Sequence, residues 1–147
     1  MSEFAGGTHR VTEGEWKDWI QWRGDPFEDH NGPFYYRHED DGAVRCAFVA
    51  EKRHMNGGGF MHGGCMMTFA DYALFCIGKE ALGDSHAVTL TMSSEFVSAG
   101  HVGDFVEATG EVVKAGKSVI FIRGQVSTRG ETLMTFTGVV KRVRSRP

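Results

Sequence analysis

The stretch NGGGFMHGGCMMTFADY, residues 56–72, decides how the chain is read, because it joins five glycines and a histidine to an apolar run that carries a single carboxylate. Glycines ahead of a helix let the backbone turn tightly and let a ligand come close. The N–H groups of a first helical turn, in turn, have no carbonyl partner inside the helix. Such a mouth can hold a negative oxygen, and the helix dipole adds a field of the same favourable sign. Beyond it Met66, Met67, Phe69, Ala70, Ala73, Leu74 and Ile77 recur at spacings of three and four, with Tyr72, Phe75 and Cys76 broadening the apolar surface. The pattern predicts a central helix over about residues 62–80, covered by protein on most sides. Asp71 lies among those apolar residues, nine positions after His62. An unpaired carboxylate there is costly, so its presence suggests a polar cleft or a pocket between subunits.

Downstream of Gly83, the segments AVTLTMSSEFV (87–97), DFVEATGEVVKAG (104–116), SVIFIRGQVSTRG (118–130) and ETLMTFTGVVKRV (131–143) are β-rich and separated by glycine or polar turns. AGK and TRGE read as hairpin connections. Upstream, FYYRH (34–38) and AVRCAFVA (43–50) read as strands, the second placing Val44, Cys46 and Phe48 on one face. TEGEWKDWIQW (12–22) reads as a short amphipathic helix with Thr12 as its cap and Glu15 completing a capping box. GDPFEDHNGP (24–33), with two prolines and three acids, reads as a loop. The expected architecture is α+β, an antiparallel sheet around one long helix, with an N-terminal helical extension and loop over 1–32 and the main domain over 33–147.

At 147 residues the chain suits one domain with a substantial core. A formal charge of −3 and a pI of about 6.1 give no general positive field for nucleic acid, although the tail VVKRVRSRP (139–147) is locally basic. No apolar stretch reaches membrane-spanning length and no leader pattern opens the chain, so a soluble cytoplasmic protein without membrane insertion is expected. Cys46, Cys65 and Cys76 form no close pair, and His54 and His62 stand eight residues apart without an HxxxH pattern, so neither a disulfide framework nor a metal is implied. GKS at 116–118 lacks the upstream glycine cradle of a phosphate-binding loop and reads as a hairpin.

The element order and the local motif together resemble the hotdog-fold acyl-CoA thioesterases, specifically the PaaI-like group that also contains the acyl-CoA thioesterase 13 type. An asparagine, five residues, HGG and an aspartate further along the helix read here as Asn56, His62-Gly63-Gly64 and Asp71, and FVSAGHVGD (96–104) resembles the family's join between core strands. The similarity runs over roughly residues 45–142. It implies that Asp71 is the catalytic carboxylate, attacking the thioester or activating water, and that Gly63 supplies the oxyanion-binding N–H. Asn56 falls where a side chain positions water or the substrate carbonyl, His62 where an imidazole shapes the mouth, and Thr89 where some members carry serine. It further implies sites shared between two subunits of a homodimer or homotetramer, no separate cofactor, and CoA as part of the substrate. Lys114, Lys117, Lys141 and Arg142 are candidate CoA contacts.

Two alternatives have different sequence requirements. A hotdog hydratase or dehydratase would favour a His/Asp or His/Glu base arrangement, whereas the Asn56, HGG and Asp71 pattern favours hydrolysis. A non-catalytic acyl-CoA sensing module would have no use for both an oxyanion donor and a buried acid. The expected substrates are medium-chain or aromatic acyl-CoAs, because apolar side chains surround the motif and no charge partner for an acidic acyl end accompanies it.

Overall fold

The structure, a computed structural model, describes residues 6–144; the last three residues of the basic tail lie outside the described residues. Among the described residues eight strands make one antiparallel sheet: β1 (Gly7–Arg10), β2 (Ile20–Arg23), β3 (Tyr35–His38), β4 (Val44–Val49), β5 (His86–Phe96), β6 (Phe105–Ala115), β7 (Val119–Thr128) and β8 (Glu131–Val143). Their spatial order is β1-β2-β3-β4-β6-β7-β8-β5. Three α-helical segments accompany them, α1 (Pro26–Asn31), α2 (Gly63–Ile77) and α3 (Lys79–Leu82), with a 3-10 turn at Lys52–His54. The sheet wraps α2, which is the hotdog arrangement implied by the resemblance.

The face of α2 that meets the sheet follows from its period. Met66, Phe69, Ala70, Ala73, Leu74 and Ile77 are buried there, together with Phe48 from β4, Val106 from β6, Ile120 and Ile122 from β7 and Phe136 from β8. Glycines on the strands let the helix come near. A Cβ added at Gly138 would stand 2.5 Å from Leu74 Cδ1, and one at Gly110 would stand 3.0 Å from Ile77 Cδ1. Gly78 ends α2, its N–H bonding back to the carbonyls of Leu74 and Cys76, so the helix expected to reach residue 80 stops at Ile77 and restarts as α3. The TRGE turn is a two-residue hairpin with Arg129 and Gly130 both at positive φ and Thr128 paired with Glu131, the geometry such hairpins prefer.

Two expectations for the N-terminal segment are corrected. Residues 12–22 do not form a helix: Gly14 and Asp18 take φ values of +82° and +72°, and the chain turns into β2. The tryptophans spaced as a helical face pack instead against the sheet, Trp16 stacking on Tyr35 with ring centroids 4.1 Å apart and Trp19 meeting Trp16 edge-on at 5.3 Å. Aromatic burial across strands outweighs an isolated helix of about three turns, which is marginal in water. Residues 24–33 are not all loop, because Pro26–Asn31 form α1 with Asp25 accepting the Glu28 N–H at 3.0 Å. Aspartate at the cap, proline at the first helical position and an acid two residues later are a helix start in their own right.

Candidate active site

The mouth of α2 is built by loop chemistry. Asn56 Oδ1 accepts the N–H groups of Gly58 (2.9 Å) and Phe60 (3.1 Å), while its backbone N–H reaches the Phe60 carbonyl at 2.7 Å. The acceptor oxygen of Asn56 is therefore committed to closing its own glycine loop, and its Nδ2 is the group with donor capacity to offer. His62 caps the helix, its Nδ1 accepting the Gly64 N–H at 2.8 Å. A ring nitrogen that accepts carries no proton, so the neutral imidazole presents Nε2–H outward. Gly63 is the first residue of α2, and a side chain there would crowd the Phe96 ring, 3.2 Å from the position of an added Cβ. Bare backbone at Gly63 keeps a first-turn N–H approachable beside that ring.

His54 is a different histidine. It is buried, accepts the Glu51 N–H at Nδ1 (3.0 Å) and donates through Nε2 to the Asn31 carbonyl at 2.7 Å. Arg53 donates to the His30 carbonyl at 2.7 Å and also to that of Gly32. Together they fasten the end of α1 to the segment that leads into the mouth.

Two turns along α2, Asp71 meets β5. Thr89 Oγ1 donates to Asp71 Oδ1 at 2.6 Å. The register of β5 against β8 shifts between Thr89 and Thr91, which face Val140 and Val139, so Leu90 is an extra residue at a bulge. Bulges re-aim side chains, and here Thr89 is half-buried against α2 while Leu90 is 55% exposed. Asp71 and Thr89 line a cavity of about 370 Å³ with Met67, Met92, Phe27 and Glu28. Burial, and after it the carboxylates of Asp25, Asp71 and Asp29, raise the Glu28 carboxyl to about 7.

The structure thus brings Asp71 and Thr89 together, and separately gathers Asn56, His62 and Gly63. Along one helix the two groups are about 12 Å apart, at 1.5 Å per residue from Gly63 to Asp71. A single carbonyl cannot touch both. The α1 contribution to the cavity was missed at the level of sequence, although the Asp25-Pro26 start signal was there to find it. Of the basic side chains, Arg142 spends its guanidinium on the carbonyls of Gly116, Lys117 and Ala81, clamping the β6–β7 hairpin to α3. Lys114 lines a separate depression on the outer sheet face with Phe121 and Arg123. Burial pushes the Cys65 thiol up to about 11 and the Cys46 thiol well above its ordinary value, which disfavours the thiolate that nucleophilic work requires.

The thioesterase superfamily model matches residues 58–135, which include His62, Gly63, Asp71, Thr89 and the strands β5, β6 and β7. The chain belongs to the thioesterase superfamily. Within it, the chain is a hotdog-fold protein related to the PaaI and acyl-CoA thioesterase 13 types. Human acyl-coenzyme A thioesterase 13 is 32% identical over 84 residues, covering 54% of this chain and 57% of that protein, so this match spans just over half its length. A mutant of the phenylacetic acid degradation protein PaaI from Thermus thermophilus superposes with a TM-score of 0.70 at 27% identity, covering 81% of this chain and all of that one (100%). A Bacillus halodurans protein solved with CoA gives a TM-score of 0.67 at 27% identity, covering 76% of this chain and 74% of that one. Among the described residues no group of three or more His, Cys, Asp and Glu side chains is gathered for a metal, and no helix is long and apolar enough to cross a membrane.

Proposed function

We infer that this protein hydrolyses acyl-CoA thioesters to free CoA and a carboxylic acid, with Asp71 as the reacting carboxylate. The observation that carries the reading is the Thr89–Asp71 hydrogen bond of 2.6 Å at the wall of a partly apolar cavity, on the same helix whose first residue, Gly63, has a backbone N–H with no partner among the described residues. The relatedness to acyl-CoA thioesterase 13 and to a protein solved with CoA supports CoA as the thiol half of the substrate.

In this mechanism the thioester oxygen faces the Gly63 N–H, where negative charge grows as the carbonyl carbon becomes tetrahedral. Asp71 either attacks that carbon or takes a proton from the water that does. The C–S bond then breaks, and the CoA thiolate leaves and takes up a proton. In the nucleophilic variant a water subsequently opens the acyl-aspartyl anhydride. Thr89 fixes the rotamer of the carboxylate, and the Nε2–H of His62 and the Nδ2 of Asn56 are donors for the carbonyl or the water. Because the mouth and Asp71 of one chain are about 12 Å apart, each site takes its mouth from one chain and its acid from another. The outer edge of β5, an end strand of the sheet with Val88 and Leu90 46% and 55% exposed, supplies the surface for that homodimer, commonly doubled to a tetramer in this family.

Met67, Met92 and Phe27 favour medium-chain or aromatic acyl groups, each fully buried methylene contributing about 0.8 kcal/mol. The test is thiol release from hexanoyl-, decanoyl-, palmitoyl-, phenylacetyl- and succinyl-CoA by the wild type and by Asp71→Asn. Turnover of the apolar esters by the wild type, and its loss in a folded Asp71→Asn protein, is expected. Equal turnover by the variant would remove Asp71 from the mechanism, and tight binding without any turnover would leave a sensing module.

A further inference from the structure

We propose that Glu28 is a charge-selecting residue of the acyl cavity, a carboxyl brought in by the N-terminal segment that makes the site discriminate against anionic acyl groups. The proposal rests on the thioesterase reading of the Asp71 site. Glu28 lies outside residues 58–135, the part of the chain that matches the superfamily model, yet it lines the same cavity as Asp71 and Thr89. Its position is built rather than incidental. Its N–H is held by the Asp25 cap at 3.0 Å and its carbonyl receives the Gly32 N–H at 2.6 Å. The far end of α1 is fastened by Arg53 and His54 to the loop that runs into the helix mouth.

The surroundings of Glu28 give it an unusual duty for a carboxyl. Asp25 and Asp29 from its own segment and Asp71 from α2 face it with like charge, and the buried Tyr72 of α2, whose hydroxyl has no partner among the described residues, is close enough to feel it. Burial first, and after it the like charges of Asp25, Asp71 and Asp29, hold its titration at about 7, so the side chain is largely neutral in mildly acidic medium and charged in mildly basic medium. Above that point a carboxylate on the acyl chain enters a cavity with one more negative charge than below it. A neutral acyl chain of the same length feels no such change. The cavity therefore selects more sharply against anionic acyl groups as pH rises, and the selection acts mainly on binding.

Hexanoyl-CoA and adipoyl-CoA, which differ only in the terminal carboxylate, separate this effect from chain length. The ratio of their kcat/KM values is measured from about pH 6 to about pH 8.5 for the wild type, Glu28→Gln and Glu28→Leu, with circular dichroism as a check on folding. The expected result is a hexanoyl preference that grows about five- to tenfold across the range in the wild type, carried by the KM of adipoyl-CoA, and stays flat in both variants. A wild-type ratio that does not change with pH, or a slope that survives in both folded variants, would overturn the assignment. Absence of hydrolysis of both esters by the wild type would instead reject the thioesterase reading, and the selectivity assignment with it.

Discussion

Replacing Thr89 by valine isolates one contact of the proposed site. Valine keeps the β-branched shape that suits β5 and removes only the hydroxyl, so the bulge at Leu90 and the pairing with β8 are untouched. What disappears is the bond from Thr89 Oγ1 to Asp71 Oδ1, whose 2.6 Å length is that of a hydroxyl donating to a charged oxygen. Hydrogen bonds to charged groups contribute about 1.5–3 kcal/mol, and about 1.4 kcal/mol of transition-state energy corresponds to tenfold in rate. The cavity is open to solvent, and water replaces part of the lost contact, which points to the lower end of the range. A fall in kcat of about 10- to 30-fold follows.

KM should move little, because the apolar walls at Met67, Met92 and Phe27 remain. Thiol release from hexanoyl-CoA under saturating and limiting substrate separates the two constants. Thr89→Ser serves as the control, since it restores the donor without the methyl, and should recover most of the lost rate. A Thr89→Val protein with kcat within about twofold of wild type would show that the hydroxyl does not hold Asp71 for reaction. A serine variant as slow as the valine one would shift the weight to the methyl group and to packing.

Three further outcomes test other parts of the structure. Mixing inactive Asn56→Ala protein with inactive Asp71→Asn protein should restore activity once subunits exchange, because some sites then receive an intact Asn56 and an intact Asp71 from different chains; no recovery in demonstrated heterodimers would reject the shared site. Gly138→Ala sets a methyl against the fully buried Leu74 side chain at 2.5 Å and should cost about 1–3 kcal/mol, a Tm loss of about 3–12 °C in thermal unfolding, with a smaller loss when Leu74 is also alanine. Glu28 is held at about 7 against an ordinary 4.5, so the stability linked to its proton is complete below the ordinary value and is lost as pH rises through about 7. Glu28→Gln should therefore raise Tm relative to wild type at pH values above about 8 and leave the difference small near about pH 5; equal differences at both would contradict the raised value.

The parts of this molecule legible in the sequence are those in which one period has one reading. The seven apolar positions from Met66 to Ile77 fit a helix and nothing else at that length, and the four long β segments after Gly83 are bounded by turns whose geometry the structure reproduces, as at Arg129 and Gly130. The head of the chain failed on both counts. Trp16, Trp19, Ile20 and Trp22 fit a helical face over eleven residues, but that is too short to decide the matter against stacking partners such as Tyr35 and Phe105, which lie far away in sequence. Proline in residues 24–33 was read as a breaker when its position directly after Asp25 made it a helix start. The motif residues were recognisable, and the family resemblance already implied their division into an Asn56, His62 and Gly63 side and an Asp71 and Thr89 side; what arises only once α1, α2 and β5 are set in space is the addition of Glu28 to the second of these.

The topology leaves room for the proposed shared site. β1 and β2 extend the sheet beyond β3, at the end opposite β5, so the spatial order β1-β2-β3-β4-β6-β7-β8-β5 leaves the β5 edge without a neighbour. That edge carries Thr89 itself, and its exposed Val88, Leu90 and Phe96, with Val97 just beyond, make it the wrong surface to leave in water along an eleven-residue strand. In the proposed homodimer, antiparallel pairing of β5 with β5 of a second copy would close the open backbone edge and run the two chains in opposite directions, the orientation that would turn the α2 mouth of one copy toward the Asp71 end of the other. In that proposed assembly the roughly 12 Å that separates Gly63 from Asp71 within a chain would be the spacing between two sites rather than a gap within one. A strand added at β5 instead of at β1 would have blocked this arrangement. Growth of the sheet at its far edge leaves it open, while α1, tethered by Arg53 and His54, reaches back across to the cavity and delivers Glu28 to it.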